Sequence, residues 1–164
     1  MPSHELRWQL FPKGLPTPDH LLQVINIFEK NFSIMNSFEN PHQNSNAALE
    51  KITPELQAIG YLVETGKKAS QKVHVPVLFG EKGKVTKYFE ADAFSKEKKT
   101  VIEVEAGRAY ANNQFLKDIF QACVMQDVDY CIIAIRQIYK KTKDYEKVVN
   151  FIEALYGSNR LRIP

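Results

Sequence analysis

Between Leu21 and Phe32 the apolar positions fall three or four apart, at Leu21, Leu22, Ile25, Phe28 and Phe32. That spacing predicts an amphipathic helix over 18–35. Thr17 is its expected cap, with Pro18 at the first position and Asp19 in the first turn. Ahead of it, Pro2, Pro12, Pro16 and Pro18 predict an extended arm over 1–17, whose Trp8, Leu10 and Phe11 need a surface to pack on. The polar run NSFENPHQNSN (36–46) reads as a loop. Leu49, Ile52, Leu56 and Ile59 then carry one apolar face across Pro54. This predicts either one kinked helix or two short ones with Thr53 capping the second; Ser45 or Asn46 caps the start, and Gly60 ends it.

Beyond Gly60 the period changes. Short apolar stretches bounded by turn residues predict strands at 61–64 and 73–79, with the loop GKKASQK between them. Pro76 marks an edge or a bulge, and His74 is expected to be a packed histidine rather than a ligand. The turn 80–84 closes a hairpin onto a strand at 85–94, and 95–99 turns into a strand at 100–105. A helix is expected from Ala106-Gly107-Arg108 to about Gln126, with Phe115, Leu116, Ile119, Phe120, Ala122 and Cys123 inward. The unbroken run DYCIIAI (129–135) predicts a strand buried on both faces. A last helix, over 143–156, is capped by Thr142 and stopped by Gly157, with Tyr145, Val148, Val149, Ile152 and Leu155 inward. The element order is that of an α/β (α+β) fold, a mixed sheet flanked by helices. The 164 residues read as one domain, with a core at about 45–136, an N-terminal arm and helix at 1–36, and a C-terminal helix.

Composition narrows this little: 44% hydrophobic and 25% charged residues are ordinary for a globular chain. No apolar run approaches the ~20 residues of a membrane span. The start, MPSHELRWQLFPKG, lacks the apolar core of a signal peptide, so a cytoplasmic location is expected. Cys123 and Cys131 are expected as buried free thiols. The apolar Ile163 beside the terminus, just after a helix, is compatible with a longer parent chain. A net charge of +3 permits a polyanionic partner, with lysines grouped at Lys96, Lys98 and Lys99 and basic residues at Arg136, Lys140, Lys141 and Lys143.

The stretch 87–126 carries the chemistry. Glu103 and Glu105 lie two apart on a predicted strand and share a face, as do Glu90 and Asp92 on the preceding one. In register, these strands bring several carboxylates to one place. Such a cluster is costly without a positive occupant, and a hard divalent cation is the natural one.

With Glu90-Ala91-Asp92-Ala93 on one strand and Glu103-Val104-Glu105 on the next, inside a helix, three strands, helix, strand order, residues 45–136 resemble the core of the restriction-endonuclease-like PD-(D/E)xK nucleases. The likeness is nearest to type II restriction enzymes with an E-x-E second motif. Ala91 stands where the family has proline, and Glu105 where it commonly has lysine. The resemblance implies a Mg²⁺-dependent DNA endonuclease, with Mn²⁺ as a substitute, acting on double-stranded DNA as a homodimer. It implies Asp92, Glu103 and the Val104 carbonyl as metal ligands and Glu105 as the group that orients or deprotonates the attacking water, with Glu50 as the helix acid. Arg108, Asn113 and Lys117 follow the motif and are the expected nucleic-acid contacts, Arg108 or Lys117 standing in for the missing lysine. Base readout is expected from the loops 66–72 and 136–143 and from the two termini.

Two other readings stand beside this one. The missing lysine fits a catalytically inactive nuclease-like fold used as a nucleic-acid-binding or assembly module. A metal phosphoesterase acting on small nucleotides is the weaker one, because only four histidines are present.

Overall fold

The computed structural model describes residues 4–164; the first residues of the predicted arm, 1–3 with Pro2, lie outside the described residues. The chain forms α1 (Asp19–Lys30), α2 (Phe32–Met35), α3 (Ser45–Ala58), β1 (Leu62–Val63), β2 (Val73–Phe79), β3 (Val85–Ala91), β4 (Ala93–Ser95), β5 (Thr100–Glu105), α4 (Gln114–Val124), β6 (Tyr130–Ile135) and α5 (Asp144–Ser158).

The helix expected over 18–35 is two helices. Asn31 separates them, and its side-chain amide donates to the Ile27 carbonyl at 2.9 Å and to Glu55 at 2.7 Å. Thr17 does not cap: Pro18 holds that place, with no side-chain bond. α3 is a single helix running through Pro54, and Thr53 bonds back to the Leu49 carbonyl instead of opening a second one. Its cap is Asn44, which accepts from the Ala47 N–H at 2.9 Å. Ser45 is freed for another task, its Oγ accepting the Ala106 N–H at 2.9 Å and tying the start of α3 to the end of β5.

The main sheet has four strands in the order β1-β4-β5-β6. β4 is antiparallel to β1 and β5, while β5 and β6 run parallel. The sheet is thus mixed and flanked by helices, in an α+β fold. The strand expected over 85–94 breaks at Asp92. Its first part pairs with β2 as a separate two-stranded hairpin, and its second part enters the main sheet. One sheet face packs on α1 and α3 through Val24, Leu49, Ile52, Leu56, Ala93, Ile102 and Val104. The other packs on α4 and the hairpin base through Val73, Val75, Ala91, Val101, Ala122 and Met125. Ile52, Leu56, Val24 and Ile102 are wholly buried, each contributing about 1.5–3 kcal/mol of transfer free energy.

Three expectations near the C-terminal half are corrected. The helix after β5 begins at Gln114, not near Arg108, because Arg108 (φ 60°) and Asn113 (φ 52°) both sit in the left-handed region and keep 106–113 as turns. β6 is an edge strand with each residue half-buried, yet both its faces are covered as expected: Ile132 and Ala134 pack on the α1–α3 side, and Ile133 and Ile135 pack beside Phe115, Ile119 and Val148. An apolar cavity of about 320 Å³ lies beside it, against Trp8, Phe28 and Tyr145. Lys143, not Thr142, precedes α5, and the helix passes Gly157 to end at Ser158, where Asn159 (φ 51°) turns the chain. Thr142 instead pairs with Tyr139. Cys123 is exposed and Cys131 half-buried, so only the second approaches the expected burial. His74 is exposed rather than packed in the core, its ring 4.2 Å from that of Tyr88 and its Nε2 3.9 Å from Glu90.

Candidate metal and active site

β5 alternates two kinds of side chain. Ile102 and Val104 enter the α1–α3 core, so Glu103 and Glu105 must face α4. Asp92 stands at the kink between β3 and β4, level with this part of β5. Its Oδ2 accepts the Val104 N–H at 2.7 Å, and its own N–H donates to the Glu103 carboxylate. Asp92 is thereby tied to β5 beside Glu103. A strand residue's N–H and C=O point to the same side, so the Val104 carbonyl also faces the Asp92 side, beyond the last β4 pair.

α4 brings a further acid. Asp118 is 3% exposed, one Oδ accepting from the Gln114 side chain at 3.3 Å and the other without any hydrogen-bond partner. Gln114 also hydrogen-bonds Glu105. Asp118 continues the buried stripe of Phe115, Ile119 and Ala122, while Phe120 and Cys123, expected inside, are exposed.

These carboxylates raise one another's affinity for protons. Burial is the largest cause for each, and charge repulsion adds to it. Glu103, 9% exposed, is pushed up to about 9, with Asp92 and Asp118 the main repelling neighbours. Glu105 rises to about 7, with Asp118 and Asp92 contributing. Asp118 rises to about 6, held back by Lys117 and Gln114. Asp92 is raised by burial and by Glu64, against the Val104 hydrogen bond and the charges of Lys72 and Lys117.

Glu64, Lys72, Gln114 and Asp118 were not singled out by sequence. The Glu64 N–H bonds the Asp92 carbonyl at 2.8 Å, and its carboxylate holds the Lys72 ammonium at 2.6 Å. Lys72 also pairs with Glu90 at 3.6 Å. Only Asp118 carried a readable signal: an aspartate on the apolar stripe of a helix, at three and four residues from Phe115 and Ala122. Of the expected residues, the fold brings together Asp92, Glu103, Glu105, the Val104 backbone and Lys117. Glu50 is exposed on α3, the helix against the opposite sheet face, and Arg108 and Asn113 are exposed on the turns before α4.

Among the described residues, no group of three or more His, Cys, Asp and Glu side chains is gathered so as to hold a metal ion. The acids share a face without closing on one point. Their chemistry nevertheless suits a hard divalent cation: the donors are carboxylate oxygens, and one buried Asp118 oxygen lacks any partner. Compared with family models, curated proteins and solved structures, the chain gives no match.

Proposed function

We propose that the protein is a Mg²⁺-dependent nuclease that hydrolyses phosphodiester bonds in double-stranded DNA, akin to type II restriction enzymes. The observation that carries this reading is that Asp92, Glu103, Glu105 and Asp118 lie on one buried face between β5 and α4, near enough to raise one another's affinity for protons. Structural acids seldom cluster where only repulsion results, whereas a phosphate-cutting site needs anionic ligands that a cation can unite.

Asp92 and Glu103, with the Val104 carbonyl, would hold the ion. A bound Mg²⁺ or Mn²⁺ supplies Lewis-acid relief of the negative charge that builds on the phosphoryl oxygens. Glu105 suits the role of base, because a carboxylate raised to about 7 accepts a proton readily at neutral pH. Gln114 orients Glu105 and Asp118. Lys117 and Lys72 supply cationic charge where the E-x-E motif has none of its own. Cutting both strands calls for two sites, so a two-fold dimer belongs to the same proposal.

The test is incubation of mixed plasmid DNA with Mg²⁺, Mn²⁺ or EDTA, using Asp92→Ala as control. Metal-dependent fragments absent from the variant support the reading. DNA binding without cutting favours the inactive binding module, which the E-x-E motif motivates, and contradicts the nuclease reading.

A further inference from the structure

The β2–β3 hairpin is anchored at one end only. Val73, Val75 and Ala91 are buried at its base, and the Gln126 N–H donates to the Pro76 carbonyl at 2.8 Å. Beyond Pro76 the hydrogen bonds are internal to the ribbon, such as Gly80 N–H to Lys84 and Thr86 to Leu78. This free half exposes Leu78, Phe79, Val85 and Tyr88, each about half accessible. Lys82 (φ 56°) and Gly83 (φ 72°) form its tight turn. From 78 to 89 there are three lysines, Lys82, Lys84 and Lys87, against one carboxylate, Glu81. None of the three lysines takes part in an ion pair among the described residues.

A patch of exposed apolar side chains marks a surface that a partner covers, and lysines free of ion pairs beside it favour an anionic partner. A two-stranded ribbon with strands ~4.8 Å apart fits a major groove ~12 Å wide, where apolar side chains meet thymine methyls and lysines reach phosphates. The same strand, β3, leads from this tip straight into Asp92. We infer that the β2–β3 hairpin is the element that grips the duplex, its lysines on phosphates and Phe79 and Tyr88 against groove walls. The inference rests on the nuclease reading for its substrate, and gives that site a docking arm.

The test is anisotropy binding of a labelled mixed-sequence duplex in EDTA, over a salt series. Removing Lys82, Lys84 and Lys87 together (each →Ala) should weaken binding roughly tenfold or more at low salt and lower the salt slope by roughly 2 to 3. Phe79→Ala with Tyr88→Ala should weaken binding with the slope kept, and all these positions are solvent-facing, so melting should hardly move. Unchanged affinity in both variants overturns the inference, as does an equal loss from the matched triple Lys140→Ala, Lys141→Ala and Lys143→Ala. So does tighter binding of a single strand than of the duplex, or no duplex binding at all. The two readings fail separately: hairpin-dependent binding without metal-dependent cutting sinks the nuclease and keeps the arm. Cutting that ignores the hairpin variants does the reverse.

Discussion

Glu103 illustrates how one residue can bear a stability cost for a site. In the unfolded chain it titrates near 4.5, and in the folded protein near 9. Between those values the native state holds a proton that the unfolded chain has released. The metal-free protein therefore loses stability as pH rises through that window, and the loss is complete above about 9. Glu105 and Asp118, raised to about 7 and about 6, act in the same direction over narrower windows. Glu103→Gln, neutral in both states, removes the need to take up that proton on folding and should raise the melting temperature of the metal-free protein at pH 8, by roughly 1–2 kcal/mol of stability. Thermal melts of both proteins across pH check this, and a lower Tm for the variant at pH 8 would contradict it. Glu105→Gln should behave differently: cation binding persists while cleavage falls by roughly 10²–10⁴. In the wild type the rate should climb as pH rises through 7, because the base form of Glu105 is then populated.

At the scale of elements, the strands were legible where turn residues bounded them, and β2 and β5 fall where expected. What the pattern hid was decided by backbone and by tertiary partners. The kink at Asp92 is invisible in an alternating run, since it depends on the Val104 N–H that captures the carboxylate. The late start of α4 depends on Arg108 and Asn113 adopting positive φ, which an apolar face beginning at Phe115 does not reveal. That β6 lies at the edge was not legible, because an apolar run covered on both faces reads alike at an edge and in the middle of a sheet. Of the candidate site, the strand acids could be read from their spacing. Glu64 and Lys72 could not, because only folding brings them beside Asp92. Asn113→Gly should be near neutral and Asn113→Val should cost roughly 1–2 kcal/mol, the difference between residues that accept a left-handed backbone and those that resist it. Asn44→Ala should cost roughly 1 kcal/mol by orphaning the Ala47 N–H. Denaturant unfolding checks both.

For the molecule as a whole, the division into a four-stranded sheet and a two-stranded hairpin predicts two levels of protection. A lone ribbon is marginal in water, while β5 is hydrogen-bonded on both sides and buried. Amide exchange should therefore be fast in 78–88 and slowest in 100–105, and equal protection of the two segments would contradict this division. No helix among the described residues is long and apolar enough to cross a membrane. What ties these scales together is the claim that the carboxylates between β5 and α4 await a divalent cation. Calorimetric titration with Mn²⁺ at pH 7.5, repeated in buffers of different ionisation enthalpy, tests it most directly. The account predicts saturable binding that releases protons, because Glu103 must ionise, and loss of that binding in Glu103→Gln and Asp92→Asn. Equal heats in the wild type and both variants, or binding without proton release, would contradict it.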